Sequence, residues 1–474
     1  MNKTTRRTFL KLAAVAASSS ASRPLTAWTV VDAPSGGTHV KAWRTSGAQR
    51  CVPIEAPAWQ TGVPTSPMSI RLDPEQRYQQ VLGFGAALTD ASCYLLEQLD
   101  AEKRKALLDE CFGPSGLSFS VARTTIGSSD YSLNAYSYDD SESPDPELTH
   151  FSIDHDRKYI LPLLKEARQT NPELFYFSSP WSPPAWMKAG NSLLGGSMRK
   201  HYFAAYAQYF VKFLQGYSVD GVKINAVTVQ NEVDTDQDGR MPQALWGQEY
   251  EMDFVKSYLG PALQKASLDT KIWILDHNYN LWGRVVDELS DPDVYKYVDG
   301  VAWHGYYGPP SSMTRVHDTF PEKNAYWTEG GPDFKAPDYA TDWANWSSTF
   351  TGILRNWAKC IVSWNLVLDE NGKPNIGPFS CGGLLTINSR TRELTRSGQY
   401  WAFAHYSKVI QRGASVIASS GDLDKIDHVA LQNPDGSHVL ILTNTGREET
   451  VQCAHRDQSL TVSLPPDSVT TLVW

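Results

Sequence analysis

Ile224-Asn-Ala-Val-Thr-Val-Gln-Asn-Glu-Val233 is an apolar, β-branched run that stops abruptly at Asn231-Glu232. Such a run reads as a short buried strand that delivers a carboxylate where it ends. Ala325-Tyr-Trp-Thr-Glu-Gly-Gly331 repeats the arrangement and ends on Glu329. Six further runs have the same character: Leu82-Gly-Phe-Gly85, Leu117 to Thr125, Leu174 to Ser178, Ile272 to Leu275, Gly300 to Trp303 and Cys360 to Leu366. Helical periodicity lies between them, with Tyr202, Phe203, Tyr206, Tyr209, Phe210 and Phe213 marking one face and Trp343, Trp346, Phe350, Ile353 and Trp357 another. Eight strands alternating with helices over about 300 residues predict an α/β fold, a (β/α)8 TIM barrel occupying 77–396, with its site at the carboxyl ends of the strands.

Beyond Arg396 the alternation stops. Ser415 to Ala418, Asp427 to Leu431, His438 to Thr443 and Ser468 to Trp474 read as strands, with Asn433-Pro-Asp-Gly436 as a turn. Residues 397–474 are therefore expected to form an antiparallel β-sandwich, joined by a β segment at 28–76.

The first residues differ in kind. Arg6 and Arg7, then Phe9-Leu10-Lys11 and a mild run of small residues up to Ala21, resemble a twin-arginine export signal ending by Ala27. That run is too short to span a bilayer, which needs about 20 apolar residues. The expectation is a protein exported to the periplasm or the exterior, with no integral membrane anchor.

With 43 Lys plus Arg against 52 Asp plus Glu, the chain is mildly acidic. No basic cluster with interleaved aromatics is present, which argues against a nucleic-acid partner. Six cysteines form no C-x-x-C pair, so metal spacing is absent and buried thiols are expected. No cofactor is expected.

Polar or aromatic groups follow every strand candidate: Thr89-Asp90, Ser129-Asp130, Ser179-Pro-Trp-Ser-Pro-Pro184, Asn231-Glu232, Asp276-His277-Asn278, His304-Gly-Tyr-Tyr307, Glu329 and Trp364-Asn365. Two strand-end glutamates in such a ring meet the needs of a retaining glycosidase. One carboxyl protonates the leaving oxygen and the other attacks the sugar, at a separation of roughly 5 to 5.5 Å.

Val81-Leu-Gly-Phe-Gly-Ala-Ala-Leu-Thr-Asp90, Ser128-Ser-Asp-Tyr-Ser132, Ser179-Pro-Trp-Ser-Pro-Pro-Ala-Trp186, Ala226-Val-Thr-Val-Gln-Asn-Glu232, Thr328-Glu329 and Asn433-Pro-Asp-Gly436 stand in an order that resembles glycoside hydrolase family 30. The resemblance covers nearly everything after residue 68. It implies Glu232 as general acid/base and Glu329 as nucleophile. It implies Asn231 as the contact to the sugar 2-hydroxyl, Asp130, Trp181 and Trp364 as binders of the terminal glucose, and Arg123, His304 and Tyr306 as neighbours of the nucleophile. The implied activity is glucosylceramidase-like hydrolysis of terminal β-glucosidic bonds, on a β-glucoside, glycolipid or β-glucan. The alternative is a β-1,6-glucanase or xylanase-type member of the same family. Gly330-Gly-Pro-Asp-Phe334 and Val233-Asp-Thr-Asp-Gln-Asp-Gly-Arg240 depart from the lipid enzyme's pattern, which leaves the leaving group open.

Other readings are weaker. Asp234-x-Asp-x-Asp-Gly239 begins like a calcium loop, but position twelve is Leu245 rather than an acid. A metal hydrolase would use Asp276, His277, His304 and Glu329, without any H-x-H or H-x-x-x-H pair to support it. A non-catalytic sugar-binding protein would be expected to have lost a glutamate, and both are present.

Overall fold

The structure, a computed structural model, describes residues 39–474 apart from Val63 and Thr65. The export-signal reading of residues 1–27 lies outside the described residues, as does the start of the 28–76 segment. The eight expected strands form β1 (Gly83–Ala87), β2 (Val121–Ile126), β3 (Phe175–Pro180), β4 (Ala226–Thr228), β5 (Lys271–Asn278), β6 (Val298–His304), β7 (Asn324–Glu329) and β8 (Ala358–Ser363). They pair in parallel, each with its neighbour in sequence, and β8 closes on β1. Every residue of β2 is buried. Strands covered on both faces read as continuous apolar runs rather than alternations, which is how they show in the sequence. Trp273 and Tyr326 stack inside the barrel at 3.9 Å between centroids. A side chain at Gly85 would place its Cβ 1.7 Å from the Val121 carbonyl oxygen, so only glycine lets β1 approach β2 there.

The aromatic face predicted from Phe203 to Phe213 lies on a helix, Phe203–Val219, and is buried against the barrel. The second helix, Trp343–Leu354, stops earlier than its predicted face. Trp357 lies beyond it at φ +76°, turning the chain into β8.

The sandwich forms from one hydrogen-bonded sheet of ten strands folded over itself. Ser69–Gln80 carries the fold. It pairs with Ser415–Ser420 through two register shifts and, along its first residues, with Glu449–His455. The fold encloses Ile70, Leu72, Leu440, Leu442, Val451, Leu460, Val462 and Leu472. Lys41–Ser46 pairs with Ser468–Val473 and so adds to the sheet. The strand at 69–80 runs past 76, and the helix Gly398–Tyr406 packs on Trp343–Leu354 with Phe350 and Phe403 at 4.5 Å. The chain thus crosses into the sandwich after Tyr406 rather than at 396. Gly436, at φ +88°, donates its amide to the Asn433 carbonyl at 2.9 Å and closes the expected turn. All six cysteines are unpaired, five of them buried.

His405 ties the two parts together. Its Nδ1 lies 2.9 Å from Thr471 Oγ1 and its Nε2 lies 2.8 Å from Thr45 Oγ1. Burial drives its pKa down to about 3, against 6.5 in an exposed imidazole. The folded state therefore keeps His405 neutral, and its stability is complete above pH 6.5 and declines as the pH falls towards 3. Between pH 6.5 and 5 the loss should reach about 2 kcal/mol. Urea unfolding at pH 7 and pH 5 checks this: the stability difference should shrink by about that amount in His405→Gln. An unchanged difference would contradict it.

Candidate active site

The carboxyl ends of the strands bring the polar residues to one place, and buried Arg123 from β2 organises them. Its guanidinium pairs with Glu329 Oε2 at the end of β7 and, through Nη2, with Asp276 Oδ2 at 2.8 Å. The same nitrogen donates to Asn231 Oδ1 at 2.8 Å. Trp181 and Trp364 flank the cation, their ring centroids 4.9 and 5.2 Å from it, and stack on each other at 5.1 Å. A guanidinium held by two carboxylates and two indole faces is fixed in orientation, and it fixes what it touches.

Asp276 is the second hub. Its carboxylate accepts from Ser179 Oγ at 2.7 Å, Thr228 Oγ1 at 2.8 Å and Thr328 Oγ1 at 2.7 Å, and lies 3.1 Å from His304 Nε2. Burial would raise its pKa, but Arg123 and His304 outweigh burial and hold the carboxyl far below the usual range. Its position comes from a bulge. Leu275 and Asp276 have φ of +71° and +46°, and the β5–β6 register skips Asp276. The extra residue lets Asp276 turn inward while His277 still reaches the mouth.

Glu329 accepts from Tyr306 Oη at 3.0 Å and, with Arg123 on its other oxygen, is nearly buried. His304 Nε2 stands 3.8 Å from it. His304 lies closer to the other glutamate, with Nδ1 3.3 Å from Glu232 Oε1. Glu232 takes φ +53° in the turn that follows β4, and its Oε2 accepts from Gln237 Nε2 at 2.9 Å. His277 Nε2 lies 3.4 Å from Glu232 Oε1, and its Nδ1 lies 2.6 Å from Asp234.

One oxygen of each glutamate and a nitrogen of His304 lie within 4.8 Å of one another. That is the short separation of attack by the carboxylate itself, below the roughly 6.5 to 9.5 Å that leaves room for an intervening water. The trio also has metal-ligand spacing. However, His304 faces a carboxylate with each ring nitrogen, and Glu329, Asp276 and Glu232 outweigh its burial and raise its pKa.

The sequence expectation that an acid glutamate is protonated meets a different arrangement here. Burial would raise the Glu232 carboxyl, but His277 and His304 on the same oxygen hold it well below the usual range.

Asp130 follows β2, and its backbone carbonyl accepts the amides of Ile376 and Gly377 at 2.8 and 3.2 Å. Its Oδ1 is buried without a hydrogen-bond partner in the protein. Burial, then repulsion from Glu329 and Glu232, raises its pKa well above the usual range. Buried polar atoms are rarely left unpaired, so Asp130 offers a hydrogen-bonding group to an incoming ligand.

The structure brings together Arg123, Asn231, Glu232, His304, Tyr306 and Glu329, with Trp181 and Trp364 around the guanidinium. Sequence reasoning passed over Asp276 as a hub and the support from Ser179, Thr228, Thr328 and Gln237. For Ser179, Thr228 and Thr328, the last or next-to-last residues of β3, β4 and β7, that position was the available signal. Asp234, Asp238 and Arg240, in the loop that begins like a calcium site, are exposed beside Glu232.

The chain is similar to known proteins in sequence and in fold. The family model described as "Glycosyl hydrolase family 30 TIM-barrel domain" matches residues 81–410, and the one described as "Glycosyl hydrolase family 30 beta sandwich domain" matches 413–472. An endo-1,6-beta-D-glucanase of Neurospora crassa is 35% identical over 426 residues, 84% of this chain and 86% of that protein. The lysosomal acid glucosylceramidase of Mus musculus is 31% identical over 439 residues, 85% and 83% of the two chains. A solved endo-β1,6-glucanase superposes with a TM-score of 0.83 at 30% identity, over 92% of this chain and 99% of that one.

Proposed function

This chain belongs to glycosyl hydrolase family 30 as a retaining glycosidase, and from that premise we propose that it cleaves β-1,6-glucosidic linkages with Glu329 as nucleophile and Glu232 as acid/base. The similarity to β-1,6-glucanases in sequence and in fold carries the choice of linkage and favours it over the glucosylceramidase-like reading of the motifs. The lip beside Glu232 points the same way. It presents Asp234, Asp238 and Arg240 to solvent, a polar surface suited to a hydroxyl-rich leaving group, whereas a ceramide would need a contiguous apolar one. Tyr306, whose hydroxyl meets Glu329, is half-exposed, which suits the C–H faces of sugars.

In this mechanism Arg123 and Tyr306 hold Glu329 in place, aimed at the anomeric carbon. The Glu329 carboxylate attacks C1 as the glycosidic C–O bond breaks, and the departing oxygen takes a proton from Glu232. Water, deprotonated by Glu232, then attacks C1 from the opposite face and releases the sugar with retention. Asn231, with its Oδ1 held by Arg123, turns its amide to the 2-hydroxyl, where hydrogen bonding strengthens as positive charge develops on the ring. Asp130 and the Trp181–Trp364 pair receive the remaining hydroxyls and ring of the bound glucose. Export by the Arg6-Arg7 signal would bring the enzyme to a polymer that cells cannot take up. Among the described residues, no helix is long and apolar enough to cross a membrane.

Hydrolysis of β-1,6-glucan, glucosylceramide in detergent, an aryl β-glucoside and an aryl β-xyloside tests this reading. The glucan should be cleaved at least about tenfold faster than the lipid, a difference of 1.4 kcal/mol in transition-state binding. Preference for the lipid would return the protein to the glucosylceramidase branch of the family.

A further inference from the structure

Lys188, only 1% exposed, lies in the loop that follows β3. Its ammonium donates to three oxygens: Ser182 Oγ at 2.9 Å, the Leu193 carbonyl at 2.9 Å and the Gln243 carbonyl at 2.7 Å. The Ser182 hydroxyl gives its own proton to the Pro183 carbonyl at 2.8 Å, so all three partners accept. Only a charged ammonium has three protons to give. Ser182 and Leu193 share the loop of Lys188, whereas Gln243 belongs to the loop that follows β4 and carries Glu232. The buried cation therefore ties one loop to the other.

The two loops are joined along their length. Gln243 donates its amide to the Leu193 carbonyl at 3.2 Å, Leu245 to the Gly196 carbonyl at 2.8 Å, and Gly196 to Asp236 Oδ2 at 3.2 Å. They approach so closely that a side chain at Gly195 would set its Cβ 2.7 Å from Gly239 Cα. From this joint the fully buried side chain of Gln243 turns back towards the acid/base. Its Nε2 donates to the carbonyls of Asn231 at 2.6 Å, Glu232 at 2.9 Å and Thr235 at 3.4 Å. The reverse orientation of this amide would set an oxygen against three carbonyls, so the surroundings fix which end donates. Beyond Thr235 the chain runs through Gln237 and Asp238 at φ +52° and +53°. Residues other than glycine seldom hold that left-handed backbone unless their surroundings impose it. The turn sets Gln237 Nε2 2.9 Å from Glu232 Oε2.

We propose that Lys188 is a positioning residue for the acid/base: by clamping the loop after β3 to the loop after β4, it holds the Gln237 amide on the Glu232 carboxyl and keeps that carboxyl aimed at the leaving oxygen. The proposal rests on the acid/base role assigned to Glu232 above. Lys188 acts through Gln243 and Gln237. Without the ammonium, the Ser182 hydroxyl and two carbonyls would be left buried without their donor, and the joint would loosen. Protonation of the leaving oxygen needs the acid within hydrogen-bond reach, so a loosened Glu232 loses acid catalysis first. Attack by Glu329, which Arg123 and Tyr306 hold, does not depend on the clamp.

The test compares Lys188→Met and Gln237→Leu with wild type at pH 6, where the ammonium is charged although burial lowers its pKa to about 7. Single-turnover glycosylation is measured on a β-1,6-gluco-oligosaccharide, a poor leaving group, and on a dinitrophenyl β-glucoside, an activated one. General acid catalysis supplies about 10²- to 10⁴-fold on the first and little on the second. Lys188→Met should therefore lose about tenfold or more on the oligosaccharide and less than about threefold on the dinitrophenyl glucoside, and Gln237→Leu should show the same selectivity. Equal losses on the two substrates in Lys188→Met would overturn the proposal, since a purely structural lysine weakens both alike. An unselective Gln237→Leu would overturn it as well, because the clamp acts through that amide. Should Lys188→Met fail to fold, Lys188→Gln, which keeps two donors for the two carbonyls, decides in its place by the same comparison. Glu232→Gln on the same two substrates separates this outcome from failure of the acid assignment. If Glu232→Gln is selective and the lysine variant is not, only the role of the clamp falls. If Glu232→Gln loses equally on both, the reading beneath it falls too.

Discussion

Glu329→Gln should abolish turnover on every β-glycoside, with a loss on the order of 10⁴- to 10⁶-fold as for other catalytic nucleophiles. The amide keeps the shape of the carboxylate, and its oxygen can still accept from Tyr306. It cannot form the glycosyl ester, so activated and unactivated substrates should suffer alike. Binding should survive, because Asn231, Asp130 and the Trp181–Trp364 pair are untouched. Calorimetric titration with a gluco-oligosaccharide should therefore give a Kd within a few-fold of the wild-type KM. A variant that turns over within about tenfold of wild type would remove Glu329 from the mechanism.

Glu232→Gln should show a loss that depends on the leaving group. General acid catalysis is worth about 10²- to 10⁴-fold, so a poor leaving group such as a sugar or alkyl alcohol should suffer that much in the bond-breaking step. A dinitrophenolate leaves without a proton, so its glycosylation rate in single-turnover experiments should fall less than about tenfold, while steady turnover stalls at deglycosylation for want of a base. In Glu232→Ala, azide should restore turnover, because it needs no base. It would attack the face opposite Glu329 and give a β-glycosyl azide. Equal losses on both leaving groups in the single-turnover step would mean that Glu232 is not the acid.

The barrel was legible because its strands are covered on both faces and so appear as unbroken apolar runs, as at Val121 to Ile126. Their ends were legible because polar side chains cannot continue into that core. The sandwich was read in part. Glu449–His455 and Gln458–Leu464 were missed, although Leu460, Val462 and Leu464 alternate with exposed or half-exposed neighbours. Their outer faces are Ser, Thr and Gln, and only a reading tuned to period two would have found them. The aromatic period from Trp343 ran on to Trp357 in the sequence, whereas a left-handed backbone at Trp357 ends the pattern in the structure. In the site, the glutamates and Arg123 could be named from the sequence. The centrality of Asp276 could not, because it depends on two consecutive left-handed residues that no local signal announces. The charge environment of Glu232 was likewise out of reach. It follows from His277 and His304 meeting on one oxygen of Glu232, a convergence of three strand ends.

The anomer of the first sugar released tests the central claim most directly. Proton NMR during the first minutes of gluco-oligosaccharide hydrolysis, before mutarotation mixes the forms, distinguishes the two stereochemical courses. Glutamate oxygens within 4.8 Å of each other predict double displacement and the β-anomer. Initial appearance of the α-anomer would show single displacement by water and contradict the assignment of Glu329 as nucleophile.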